Sequence, residues 1–215
     1  MMAELNEAEL DITKEIIHIA LTKAADSLSF FIKEKVMIKL FDLKINQNYS
    51  PISKKDANAK SYLLTTCIRG DIAGKAYLVF NESEVAKLVE INLPDSIKNN
   101  PIEKARMTDA VLLEIDNIIT AAVVTQFANI LNCKIHGDVP MLNILPENEL
   151  NPFLDQQNTG HYNVIYFNSR FITSNSDINS EFIWLMEDKF FTEVKNVVSV
   201  EKRNELLQKL IAISE

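Results

Sequence analysis

Thr108–Asn132, TDAVLLEIDNIITAAVVTQFANILN, is the stretch on which the architecture turns. Val111, Ile115, Ile118, Ile119 and Ala122 recur at helical spacing and predict one apolar face that can seat a long helix on a sheet. Glu114 and Asn117, three residues apart, are neighbours on the opposite side; Ala121 continues that side, and Thr120 and Thr125 lie near its borders. A second helix of the same kind is predicted upstream, over about Glu7–Lys33. Its stripe is Leu10, Ile12, Ile16, Ile19, Ala20, Leu28, Phe31 and Ile32, and it repeats the polar layout with Glu15, His18 and Thr22.

The elements around these helices follow the same order twice. After the first come a strand at Val36–Leu40, a polar loop over 42–60, a hairpin of Ser61–Arg69 and Lys75–Phe80 turning at Gly70-Asp71 or Gly74, and a short helix at Glu82–Ile91. After the second come a strand near Lys134-Ile135, a loop carrying Pro140, Pro146 and Pro152, strands at Tyr162–Thr173 and Glu181–Met186, and a helix at Asp188–Val198. A last helix is predicted over about 200–214. An offset of 99 aligns Glu15-Ile16 with Glu114-Ile115, Ile19 with Ile118 and Lys35 with Lys134; an offset of 105 aligns Gly74–Val79 with Asn179–Trp184. The expectation is an internal duplication within one domain, 1–215, with pseudo-repeats at about 7–98 and 104–199.

Composition narrows the function classes. The 215 residues are 47% hydrophobic and 24% charged, ordinary for a globular chain. No uninterrupted apolar run reaches the roughly 20 residues of a membrane span. The start, MMAELNEAELD, lacks the basic and apolar segments of a secretory signal. A formal charge of −8 disfavours nucleic-acid or anionic-membrane binding. Two cysteines, Cys67 and Cys133, are too few for a disulfide scaffold. A cytoplasmic protein is expected.

Several familiar chemistries are also disfavoured. Gly70-Asp-Ile-Ala-Gly74-Lys75 has three residues between its glycines where a phosphate-binding Walker loop needs four, and Ala76 stands where Ser or Thr is required. Cys133 and His136 are the only close pair of good metal ligands and nothing completes a site, so no metal or cofactor is expected. No Gly-x-Ser-x-Gly elbow is present, and neither cysteine has the context of an activated nucleophile.

A longer pattern gives the polar pair a meaning. Glu114-x-x-Asn117 is followed, after 22 residues, by Pro140. This resembles the signature of the CheC/CheX/FliY family of chemotaxis phosphatases, in which Asp or Ser precedes Glu-x-x-Asn by four and Pro follows after 22. The resemblance covers nearly the whole chain and is nearest to CheC, a tandem duplication of this length. Some positions depart from the signature. Ala110 stands four before Glu114, with Asp109 displaced by one, and Asp116 replaces the usual Gly. In the first copy Asp11 and Glu15 fit, but His18 replaces the Asn and Phe41 the Pro.

The resemblance implies an α/β (α+β), CheC-like fold: a shared, mainly antiparallel sheet with the two motif helices side by side on one face. It implies a phosphatase of a phosphorylated CheY-like response regulator, with Glu114 and Asn117 as the working site and Asp11, Glu15 and His18 as a second, degenerate one. Mg²⁺ is expected on the partner regulator. The alternative is a non-catalytic adaptor for a regulator or for the receptor deamidase CheD. Both halves in one chain lead to the expectation of a monomer, and an end at Glu215 leaves no FliY-type switch domain expected.

Overall fold

The computed structural model describes residues 5–45, 59–158 and 162–198. Helix α1 (Glu7–Ile32) opens at a capping box, in which the Asn6 side chain accepts from the Glu9 N–H and Glu9 accepts from the Asn6 N–H. It leads into strand β1 (Met37–Ile45), the hairpin β2 (Lys60–Gly70) and β3 (Gly74–Asn81), helix α2 (Glu82–Asn92) and the single turn α3 (Asp95–Lys98). The second half runs through α4 (Pro101–Leu131), β4 (Ile135–Gly137), β5 (Met141–Pro146), α5 (Glu147–Gln157), β6 (Asn163–Ile172), β7 (Asp177–Met186) and α6 (Asp188–Val198).

All strands pair antiparallel in one seven-stranded sheet, ordered β1-β6-β7-β3-β2-β4, with β5 also on β2. The first strand of each half therefore pairs with the hairpin of the other half, and β3 against β7 joins the two. Helices α1 and α4 pack on each other and on one face of the sheet. Ile16, Ala20, Leu21 and Ala24 of α1, Ile115, Ile119 and Val123 of α4, and Leu64, Leu78 and Phe182 of the sheet share one core. Phe127 meets the Trp184 indole edge-on at 5.3 Å between ring centres. By length and composition α4 could cross a membrane, but half of its most apolar stretch is buried in this core.

Four expectations are corrected. Helix α4 starts at Pro101 rather than near Thr108, because Pro101 fills the first helical position and the Asn100 side chain accepts from the Ile102 and Glu103 N–H groups. The expected loop from Pro140 to Pro152 holds β5 and α5. Leu150 and Leu154 of α5 bury against Leu63, Tyr77, Ile183 and Leu185 on the outer face of the sheet, and this burial outweighs the cost of Pro152 inside the helix. Strand β1 runs past the expected loop start at 42, with a register shift between Phe41 and Lys44 where Asp42 takes a positive φ. Strand β7 begins at Asp177, four residues before the expected Glu181. The predicted helix over 200–214 lies outside the described residues.

Gly70 turns the first hairpin at φ 118°, and a Cβ there would strike the Lys134 carbonyl oxygen. The hairpin reading of the Gly70–Lys75 stretch thus has a steric basis.

Candidate functional site

The rotation of α4 about its axis decides which side chains can reach a partner. Val111, Leu112, Ile115, Ile119 and Val123 are buried, which turns Glu114, Asn117, Ala121 and Thr125 outward, all exposed. Two titratable-or-polar side chains one helical turn apart, followed by an alanine, leave a face that another protein can approach closely. A helix tethered along its length to α1 and the sheet presents that pair with little conformational freedom.

Thr120 does not border this face: it is 3% exposed and points into the interior. Its companion is Asp116, 1% exposed, whose carboxylate accepts from the Thr66 hydroxyl of β2 at 2.7 Å and lies 3.4 Å from the Thr120 hydroxyl. Burial pushes the Asp116 carboxyl up to about 6, against the opposing pull of the two hydroxyls. Sequence reasoning passed over Asp116 as a departure from a motif. The signal was present, because Leu112, Asp116, Ile119 and Val123 fall on the core-facing phase of the helix.

Pro140 is buried where β4 gives way to β5. Ile68 pairs with Gly137 and Thr65 with Met141, so Thr66 and Cys67 lie across from Asp138–Pro140. The Asp138 N–H donates to the Cys67 carbonyl at 2.8 Å, and Arg69 pairs with the Asp138 carboxylate at 2.5 Å. Pro140, lacking an N–H, fits the break in the ladder. Thr66 thus bonds the helix at Asp116 and lies on the strand opposite the break that holds Pro140.

The matching face of α1 exposes Asp11, Glu15 and His18. Asp11 pairs with Lys14 at 3.3 Å, and the Thr22 hydroxyl donates to the His18 carbonyl. The residues behind this face are Ile17 and Leu21, both buried, with no counterpart of the Asp116–Thr66 bond. Among the described residues, no group of three His, Cys, Asp or Glu side chains is placed to hold a metal. Cys133 is half-buried and its thiol is pushed up by burial, while His136 is exposed.

No family model matches the chain. Solved structures do share its fold. Thermotoga maritima FliY superposes over 93% of this chain and all of that one, at TM-score 0.66 and 18% identity. A chain of the CheX–CheY–BeF3–Mg²⁺ complex from Borrelia burgdorferi superposes over 80% of this chain and 97% of that one, at TM-score 0.51 and 16% identity. A chain of the FliG–FliM complex from Helicobacter pylori superposes over 87% and 98%, at TM-score 0.60 and 9% identity. The antiparallel sheet with two long helices on one face is therefore a fold shared with these FliY, CheX and FliM structures.

Proposed function

We propose that this chain belongs with the CheC/CheX/FliY phosphatases and removes the phosphoryl group from a phosphorylated CheY-like response regulator. The observation that carries this reading is the joint exposure of Glu114 and Asn117 on a helix whose other faces are fixed by packing. A regulator's phosphoaspartate is an acyl phosphate, and the regulator brings its own Mg²⁺ and lysine. Catalysis then needs little beyond an aligned water. The Asn117 carboxamide can accept a hydrogen bond from that water and donate one to a phosphoryl oxygen, with no proton-dependent charge near neutral pH. The water oxygen bonds to phosphorus as the bond to the aspartyl oxygen breaks in line, which returns a free carboxylate and inorganic phosphate.

Glu114 serves docking. Its carboxylate pairs with the regulator's active-site lysine, which fixes register and keeps the negative charge away from the phosphate. On this reading the protein works as a cytoplasmic monomer, and the α1 face with His18 contributes little turnover.

The second reading is an adaptor that binds a regulator, or the deamidase CheD, without hydrolysis. Two observations favour it: His18 replaces the carboxamide on α1, and the same fold occurs in a complex of FliG with FliM. A phosphate-release assay on a panel of phosphorylated receiver domains separates the readings. Accelerated release by the wild type supports the phosphatase. Saturable binding with release at the spontaneous rate would replace it with the adaptor.

A further inference from the structure

We infer that Asp116 is a positioning residue that sets the roll of α4, through its bond to Thr66 of β2, so that Asn117 is aimed at its target. The inference rests on the phosphatase reading. Apolar packing seats the helix, but the hydrophobic driving force is itself non-directional, whereas a 2.7 Å hydroxyl–carboxylate bond adds a fixed distance and angle at one point. Asp116 adjoins Asn117 in the chain, and Thr66 belongs to β2, which is paired to β3 on one side and to β4 and β5 on the other. The bond therefore ties the helix directly behind Asn117 to a strand that is paired on both sides. Gly137 closes the cluster: a Cβ there would lie 3.1 Å from the Thr66 methyl and 3.6 Å from that of Thr120.

The fold does not require polarity here. Ninety-nine residues earlier, Asp116, Thr120 and Gly137 correspond to Ile17, Leu21 and Ile38, all buried and apolar. Burying a carboxylate is costly, and a well-packed aliphatic side chain in its place is often neutral or stabilising. Only the helix with the intact Glu-x-x-Asn pair carries this cost. Leverage explains what is gained. At a side-chain radius of about 5–6 Å, a roll of about 10° moves the tip of Asn117 by about 1 Å. A misplacement of that size can lower turnover on the order of 100-fold.

The test compares three variants with the wild type in phosphate release from a phosphorylated receiver domain, with stability measured by thermal unfolding. Asp116→Leu with Thr66→Val removes the polar bond between helix and sheet and leaves an apolar contact, as at Ile17 on the first helix. It is expected to keep or raise Tm, to lower kcat about 10–100-fold and to leave KM within about twofold. Asp116→Asn, whose amide oxygen still accepts from Thr66, is expected to keep kcat within about threefold. Thr66→Val alone is expected to fall between them, and it decides the matter if the double variant does not fold. Wild-type turnover in the apolar variant, or an equal loss in Asp116→Asn, overturns the inference. Crystal structures of the same variants supply a readout independent of activity. Superposed on the sheet, α4 should be rolled in the apolar variant and unmoved in Asp116→Asn; an unmoved helix in both overturns the inference. A wild type that fails to accelerate release refutes the phosphatase reading alone.

Discussion

Glu114 and Asn117 share a face but differ in charge, and their expected effects separate on that difference. Glu114→Ala removes an ionic contact made in both ground and transition states, so KM should rise severalfold in steady-state phosphate release. A rise in KM of less than about twofold would remove Glu114 from the docking role. Asp116 makes a separate, thermodynamic prediction. Its folded value of about 6 stands above the ordinary 3.8, so its stabilising contribution is complete below about 3.8 and is lost as pH rises through 6. Relative to Asp116→Asn, which does not titrate, the wild type should lose about 2 kcal/mol between pH 4 and pH 7. Urea unfolding of both proteins across that range measures it, and a constant difference would refute the buried, shifted carboxyl. The exposed pair was legible in the sequence because helical spacing settles which residues share a face. Asp116 was not read, because a charged residue is assigned to solvent unless a buried partner is known, and Thr66 is 50 residues away in the chain.

Among the elements, α4 depends on its cap. Asn100 accepts from two otherwise unpaired N–H groups, so Asn100→Ala should lower stability by about 1 kcal/mol in urea unfolding without changing activity. No change would mean that the first turn, Pro101–Lys104, adds nothing to stability. Helix α5 is held by two leucines on the outer sheet face and by Lys75 donating to Gln157 at 2.8 Å. Leu154→Ala should cost about 2–5 kcal/mol, whereas a surface helix would lose almost nothing. The long helices were legible because many turns of consistent apolar period outweigh any single residue. Helix α5 was not, since its eleven residues include Pro152 and only Leu150 and Leu154 are buried. Its stability comes from a sheet face assembled from distant strands.

At the scale of the molecule, the exchange of first strands makes the halves interdependent. Strand β1 at one edge has β6 as its partner, and β4 and β5 at the other edge have β2, so neither half keeps its edge strands when separated. Residues 1–98 alone are expected not to fold as a monomer, and co-expression with residues 99–215 should restore cooperative unfolding by circular dichroism. A stable monomeric first half would contradict the shared sheet. The repeated order of elements was readable in the chain, but this exchange was not, because local pattern cannot say whose edge a strand joins. The arrangement leaves α1 and α4 side by side, each offering its own polar face, and the faces differ at His18 and Asn117. The most direct measurement is single-turnover phosphate release from a phosphorylated receiver domain by wild type, Asn117→Ala, His18→Ala and the double variant. Asn117→Ala should slow release about 10–100-fold, a barrier of about 1.4–2.7 kcal/mol, with binding little changed and His18→Ala near wild type. Full-rate release by the double variant would contradict the claim that an exposed carboxamide aligns the attacking water.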